Sequence, residues 1–375
     1  MDEIKKILFY SDSDVFGGHE IMSVKIANLL SKNNKYKIEF IYSNEKVEKL
    51  LNDNIKTYFN IYKDSTPLPF LNNLRIKKIY KIKNSIISIN PDIVVICQGN
   101  IELGLKGLIA SRFARKVTVS YIPFGNYFNE FGAKFAFLRD FINRRYYLIP
   151  DYFITPNDYQ KQLIQKQSKN KSIYTILNPI DNQINKENKF EKNKIISLGV
   201  VGRIDFRHKN QLLTLELAKK LLSKNINFKF HIVGDGKDLS RFKKEVFKSK
   251  LIEYFIFYGW LDKEQKDKVL SESVDILLIP SIFETGIPLV VYDALENNKN
   301  FLISNLDSIK EYEIPNNYIM NLSNLDSVIK KIIYLSEVKD NSEYLNFKEY
   351  IENNFSYNKF EDQVNNTFKS ILCGH

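Results

Sequence analysis

Two doubly wound α/β domains are what the sequence predicts, on three observations. Short apolar runs alternate with amphipathic helical stretches along the whole chain, the pattern of parallel sheets covered on both faces. One polar run without apolar periodicity, DNQINKENKFEKNK (181–194), interrupts that alternation near the middle. At 375 residues the chain is long for one core and comfortable for two. The expected organisation is a first domain over 1–180, a linker over 181–194, a second domain over 195–354 and a terminal helix over 355–375. Ligand belongs in a central cleft, at the C-terminal ends of the strands.

In the first domain KKILFYSD (5–12), YKIEFIYS (36–43), PDIVVICQG (91–99), KVTVSYIP (116–123) and DYFITPN (151–157) read as buried strands. Helical spacing falls between them, in IMSVKIANLLSK (21–32) and ELGLKGLIASRFARK (102–116). The second domain restarts with IISLGVVGRI (195–204), FKFHIVGDG (228–236), YFIFYGW (254–260), VDILLIPS (274–281) and NFLISN (300–305). The closing FSYNKFEDQVNNTFKSILCG (355–374) has the spacing of a helix. The abundance of Asn and Lys, as in KNNKYK, reads as compositional bias and not as a functional repeat.

Composition narrows the classes. A hydrophobic content of 44% beside 26% charged residues describes an ordinary soluble protein and excludes a disordered one. No apolar run approaches the roughly 18 residues of a membrane span. The start, MDEIKKILFYSDSD, has only the short apolar run ILFY and reads as no signal peptide. Cys97 and Cys373 form no CxxC and read as reduced thiols of a cytosolic protein. Residues 1–181 carry 27 Lys/Arg against 17 Asp/Glu, whereas the remainder carries 28 against 27. The first half therefore expects an anionic partner. Basic and aromatic residues do not interleave on the scale of a nucleic-acid module, so that partner is not nucleic acid.

Chemistry-bearing residues recur where strands end. The strand LGVVGRI delivers Gly202 and Arg203, and Lys209 opens the next helical segment, NQLLTLELAKKLL. A guanidinium, an ammonium and a helix N-terminus together suit a phosphate; a solvated loop is the plainer reading. FKFHIVGDG ends in Gly234-Asp235-Gly236, where backbone can approach a ligand closely or simply turn. YGWL (258–261) places Trp260, with Leu261 after it, beside a nucleobase or in the core. Most informative is PSIFETGIPLVVYDALE (280–296). Glu284 follows the strand, Gly286 removes a Cβ, Pro288 fits the first turn of a helix, and Asp293 lies on it. Backbone there can face an anion while carboxylates accept from sugar hydroxyls; alternatively Glu284 caps the helix. Near the start, Gly17-Gly18 precede a helix from about Glu20 and let backbone approach a ligand, although the pattern is not GxGxxG. Asp12 and Asp14 offer a carboxylate pair for a divalent ion, but they fall before any nucleotide-binding unit, and no metal is assigned. The histidines show no ligand spacing.

In order and spacing these segments resemble retaining glycosyltransferases of the GT-B fold, specifically glycosyltransferase family 4 of the bacterial surface-polysaccharide type. The resemblance rests on FGGHE (16–20), VVGRIDFRHKN (200–210), VGDG (233–236) and PSIFETGIPLVVYDAL (280–295). It implies transfer of a hexose or N-acetylhexosamine from a nucleotide diphosphate sugar, UDP before GDP, to a hydroxyl of a lipid-linked or oligosaccharide acceptor with retention of configuration. It implies Arg203 and Lys209 on the diphosphate, Glu284 on the donor sugar and Asp293 on the ribose. Gly17, Gly18, Gly234, Gly236, Trp260, Leu261, Thr285, Gly286, Ile287 and Pro288 would complete the donor site. No metal or other cofactor is expected, because two cations and a helix N-terminus take that role. A sugar-nucleotide epimerase or an inactive sugar-nucleotide-binding protein of the same fold is the alternative. The sequence departs from the family in three ways. Eight residues separate the two acids where seven are usual, with Thr285 as the insertion and Asp as the second acid. The Arg-to-Lys spacing is one residue longer, so Arg207 can share the lysine's role. SYIPFGNYF (120–128) lacks the histidine common there, which leaves the acceptor side unassigned.

The segment NNLRIKKIYKIKNSIISI (72–89) sets Arg75, Lys77, Lys78, Lys81 and Lys83 beside an apolar stripe, and Arg139, Arg144 and Arg145 form a second basic group. Such surfaces suit anionic lipid, so peripheral attachment to the inner face of the plasma membrane is expected. A core-packed helix with a solvated basic face is the competing reading.

Overall fold

The computed structural model describes residues 4–14, 16–61, 69–131, 133–169, 171–180, 195–338 and 342–374. The expected linker at 181–194 lies outside the described residues. The chain divides into two compact units, Met1–Asn178 with Asn358–His375, and Pro179–Tyr357.

The first unit holds β1 (Lys5–Tyr10), β2 (Tyr36–Tyr42), β3 (Lys56–Phe59), β4 (Ile93–Cys97), β5 (Val117–Tyr121), β6 (Tyr152–Thr155) and β7 (Ser172–Thr175), in the order β3-β2-β1-β4-β5-β6-β7. Every pairing is parallel, and Ile7 of β1 lies opposite both Ile38 and Ile93. The second unit holds β8 (Ile196–Val201), β9 (Phe228–Val233), β10 (Phe255–Gly259), β11 (Ile276–Ile279), β12 (Asn300–Ser304) and β13 (Ile319–Met320), ordered β10-β9-β8-β11-β12-β13 and again parallel. Strand order reverses between β1 and β4 in one sheet and between β8 and β11 in the other. These are the places where loops diverge and open a crevice.

Central strands are covered on both faces, which is why they read as unbroken apolar runs. All residues of β4, β11 and β12 are buried. β3, β7 and β13 carry no clear strand signal in the sequence; the first two lie at the two edges of their sheet and the third at an edge of the other. They are short, and KTYF and SIYT carry little of the apolar signal that burial imposes.

In the first core, the helix Ile76–Ile89 buries Ile79, Ile82, Ile86 and Ile89 against Leu8, Tyr10, Val94 and Ile96. Their helical spacing makes one stripe. Ile79, Ile82 and Ile86 of the stripe proposed for lipid are therefore core, while Leu74, Ile76, Tyr80 and Ile87 stay exposed beside the lysines. In the second unit Phe242 sits edge-on to Phe255 at 6.1 Å and Phe257 at 5.4 Å, and Phe230 stacks on Phe255 at 4.8 Å. The final helix, Tyr357–Cys373, buries Phe360, Val364, Phe368 and Ile371, with Phe368 6.4 Å from Phe9, so it completes the first unit.

The asparagines are more than bias. Asn44, Asn157 and Asn324 accept backbone N–H groups as helix N-caps, while Asn90, Asn210, Asn225 and Asn298 hold left-handed backbone. A short amide side chain is suited to both places.

Candidate functional site

The loops leaving β8, β9 and β10 are stitched together by their backbones. Gly202 donates to Val233 O (2.9 Å), Ile204 to Asp235 O (2.9 Å) and Gly234 to Gly259 O (2.7 Å). Gly234 has φ +140°, and a Cβ there would lie 1.9 Å from Gly202 O. At Gly236 it would lie 2.4 Å from Ile204 O. Both glycines are thus accounted for by the approach of two loops to one another, a reason the sequence could not distinguish from approach to a ligand. Gly202, at φ +125°, has nothing within 4 Å of its Cβ position.

Arg203 follows at the end of β8 with a half-exposed side chain, its guanidinium 4.0 Å from Asp205. Asp205 also pairs with Lys237 at 3.2 Å. Burial alone would raise the Asp205 carboxyl, but His208, Lys237 and Arg203 together hold it below its ordinary value. Gln211, buried, accepts from Asp205 N–H and donates to Arg203 O (2.8 Å), fixing the loop from below.

One sequence expectation is corrected here. Lys209 does not open the following helix. It ends a single helical turn, Phe206–Lys209, after which Asn210 turns left-handed and the helix proper runs Leu213–Ser223. The turn lets Lys209 Nζ bond directly to Glu284 Oε1, across the switch point between β8 and β11. Ser281 Oγ donates to the same oxygen at 2.5 Å, and Ile282 N–H donates to His208 O at 2.9 Å. Two loops 75 residues apart in sequence are locked at the sheet's C-terminal edge. Glu284 is consequently not a helix cap.

Gly286, Ile287 and Pro288 are buried behind it. Pro288 is the N-cap residue of the helix Leu289–Glu296, one position before the first helical residue where the sequence placed it, and no side chain caps that helix. Its first backbone N–H groups therefore present partial positive charge near Glu284, the local property that suits an anion. Thr285 lies in the same loop, partly buried. Trp260 follows β10 at 51% exposure and is not core; Leu261 is partly covered beside it.

Asp293 joins neither Glu284 nor Lys209. Its Oδ1 accepts from Lys266 Nζ at 2.5 Å. Burial pushes its carboxyl up, against the pull of Lys266 and Lys263. No sequence periodicity links residues 27 apart on separate helices, so Lys266 escaped the sequence analysis. Ser281 escaped too, although it stands inside the motif.

In the other unit, Gly17 N–H donates to Glu20 Oε2 at 2.8 Å, and the helix begins at Gly18. The Gly17 N–H is therefore engaged by its own helix. His19 Nε2 lies 2.5 Å from Glu20 Oε1. Asp12 is buried, paired with the equally buried Lys106 at 3.1 Å, and accepts from Tyr10 O–H at 3.3 Å. Among the described residues no three His, Cys, Asp or Glu gather as a metal site. Arg139 is likewise withdrawn from the basic surface, its Nε and guanidinium NH2 bonding both oxygens of buried Glu102 at 2.9 and 2.6 Å.

Residues 179–354 match the family described as Glycosyl transferases group 1. Over 298 residues, 77% of each chain, the sequence is 25% identical to the lipopolysaccharide 1,6-galactosyltransferase of Escherichia coli (strain K12). Among solved structures, the lipopolysaccharide outer core galactosyltransferase WaaB in its apo form is similar with TM-score 0.66 at 18% identity, covering 97% of this chain and 99% of that one. Anabaena HepE in complex with UDP-glucose is similar with TM-score 0.75 at 15% identity, covering 97% and 99%. The two parallel sheets with their helices are the GT-B fold.

Proposed function

We propose that this GT-B glycosyltransferase moves a hexose or N-acetylhexosamine from a UDP-sugar to a hydroxyl of a lipid-linked glycan, with retention of configuration, in surface polysaccharide synthesis. One observation carries the reading. The Lys209–Glu284 pair joins the loops after β8 and β11 at their switch point, with Arg203 in the first loop and the uncapped start of Leu289–Glu296 following the second, all within the span that matches the family. The relative from Escherichia coli supports a lipopolysaccharide-type acceptor, and HepE with UDP-glucose supports a UDP donor.

In this mechanism the diphosphate leaves the anomeric carbon as the acceptor oxygen bonds to the same face. The departing phosphate oxygen takes the acceptor's proton. Arg203, Lys209 and the first backbone amides of the helix stabilise the charge that builds on the leaving group, with no metal required. Glu284 accepts from donor-sugar hydroxyls and Asp293 from the ribose. Trp260, exposed at the end of β10, covers the base.

For the acceptor we propose a membrane setting. Phe135, Phe137, Leu138 and Phe141 are exposed on and beside the helix Ala136–Asn143, Phe137 at 86%, with Lys134, Arg144 and Arg145 exposed around them. Aromatic side chains ringed by cations suit the inner leaflet's interface. No helix of the described residues is long and apolar enough to cross a membrane.

The test is to incubate the protein with UDP-galactose, UDP-glucose or UDP-N-acetylglucosamine, with and without a lipopolysaccharide core acceptor. Acceptor-dependent UDP release and an α-linked product support the reading. Free sugar isomerised without acceptor means an epimerase, and UDP binding without turnover means an inactive binder.

A further inference from the structure

Asp293 is a carboxylate whose surroundings decide whether it can serve a ligand at all. It sits on the helix Leu289–Glu296 with its side chain 14% exposed, where an unpaired charge would still be costly. Lys266, on the helix Lys263–Ser273, meets it through Oδ1 at 2.5 Å. Lys263, one turn earlier, points elsewhere: it pairs with Glu296 at 2.9 Å and Asp267 at 3.3 Å. Asn297 bridges the same helices, donating to Asp293 O (2.9 Å) and Asp267 Oδ1 (3.4 Å). Among the described residues no donor bonds Asp293 Oδ2.

We propose that Lys266 is a positioning residue for nucleotide recognition: by holding Asp293 through Oδ1 it aims Oδ2 at the 2′-hydroxyl of a ribose. The inference rests on the donor reading above and adds to it a residue outside the motif. The geometry supplies the reason. A carboxylate with two oxygens, mostly covered and held by one fixed cation, has one oxygen left as a directed acceptor. The helix that carries Lys266 begins three residues after Trp260, so the side proposed to cover the base also orients the group that reads its sugar. Burial opposes the ionised form of Asp293, and Lys266 is the larger of the two lysine influences that counter it.

The experiment measures Kd for UDP and for 2′-deoxy-UDP by calorimetry on the full chain, in the wild type and in Lys266→Met, Lys266→Arg, Lys263→Met and Asp293→Asn. The wild type should prefer UDP roughly 10-fold, the discrimination of one charge-assisted hydrogen bond. Lys266→Met and Asp293→Asn should bring the ratio near one, Lys266→Arg should restore part of it, and Lys263→Met should keep it. Because a ratio of two affinities does not depend on the fraction of protein folded, destabilisation cannot imitate this result. Lys266→Gln provides a second reading if the methionine variant yields no soluble protein. A wild-type ratio in both Lys266→Met and Lys266→Gln overturns the inference while leaving the donor reading intact. A wild type that binds UDP without discriminating removes Asp293 from the ribose and the inference with it. No binding of UDP at all defeats the donor reading itself.

Discussion

Replacing Lys209 by alanine separates the role the structure shows for this ammonium, pairing with Glu284, from the phosphate role proposed for it. Lys209 is the direct partner of Glu284, whose side chain is 12% exposed against 25% for the lysine. Removing one partner of a fully buried pair costs about 3–5 kcal/mol. Here solvent reaches the pair from one side and Ser281 still donates to the carboxylate, which lowers the expected cost to about 1–2 kcal/mol. For a domain of this size each kcal/mol moves Tm by about 2–4 °C, so the loss should be about 2–8 °C. If Lys209 also faces the diphosphate, UDP affinity falls by about 10-fold or more as a charge-assisted contact disappears. Glu284→Gln frees the ammonium and should leave UDP affinity near wild type. Melting curves and calorimetry with UDP on both variants read the two roles independently. Lowered Tm with unchanged UDP affinity in Lys209→Ala would refute the phosphate role and leave Lys209 as a scaffold for Glu284. An unchanged Tm would refute the ion pair in solution.

The Arg203 guanidinium lies 4.0 Å from Asp205 and is half exposed, so Arg203→Ala should weaken UDP binding by about 2–3 kcal/mol while leaving Tm nearly unchanged, by the same two measurements. Glu284→Gln should lower kcat for transfer by more than it weakens UDP; a variant with wild-type turnover removes Glu284 from the donor sugar. Turnover should persist in EDTA, since Arg203, Lys209 and a helix N-terminus are proposed to neutralise the leaving group; loss with chelator and recovery with manganese would reject that. Phe137→Ser with Phe141→Ser should abolish cosedimentation with anionic liposomes and leave UDP affinity unchanged. Because aromatic insertion accompanies the charge, wild-type binding should fall only partly at high salt.

Much of the fold was legible because buried parallel strands have no polar face to dilute their signal. PDIVVICQG and VDILLIPS announce β4 and β11, and the tight loops after them keep the chemistry-bearing residues within a few positions of the strand ends. The edge strands β3, β7 and β13 were missed because a strand with one neighbour need not be apolar throughout. Exposure was the other failure. Alternating Lys and Ile over 72–89 reads equally as a lipid face or a core helix, and the structure divides it: Ile79, Ile82 and Ile86 pack with Leu8 and Val94, while Leu74, Ile76, Tyr80 and Ile87 stay exposed. In FAFLRD the aromatic residues are the exposed ones and Arg139 turns inward to Glu102, an assignment that depends on a partner 37 residues away.

By itself the sequence determined that the chain builds two doubly wound sheets, that Arg203 and Glu284 follow strand ends with Lys209 a few residues beyond, and that Gly286 and Pro288 prepare a helix start. These follow from local pattern and from the few backbone shapes that Gly and Pro permit. Only the tertiary structure decided which charges meet. Lys209 reaches Glu284 because β8 and β11 are neighbours, Lys266 reaches Asp293 because two helices pack side by side, and Asp12 is buried against Lys106. An ion pair depends on distances of a few ångströms, which sequence separation does not encode and strand order and helix packing do.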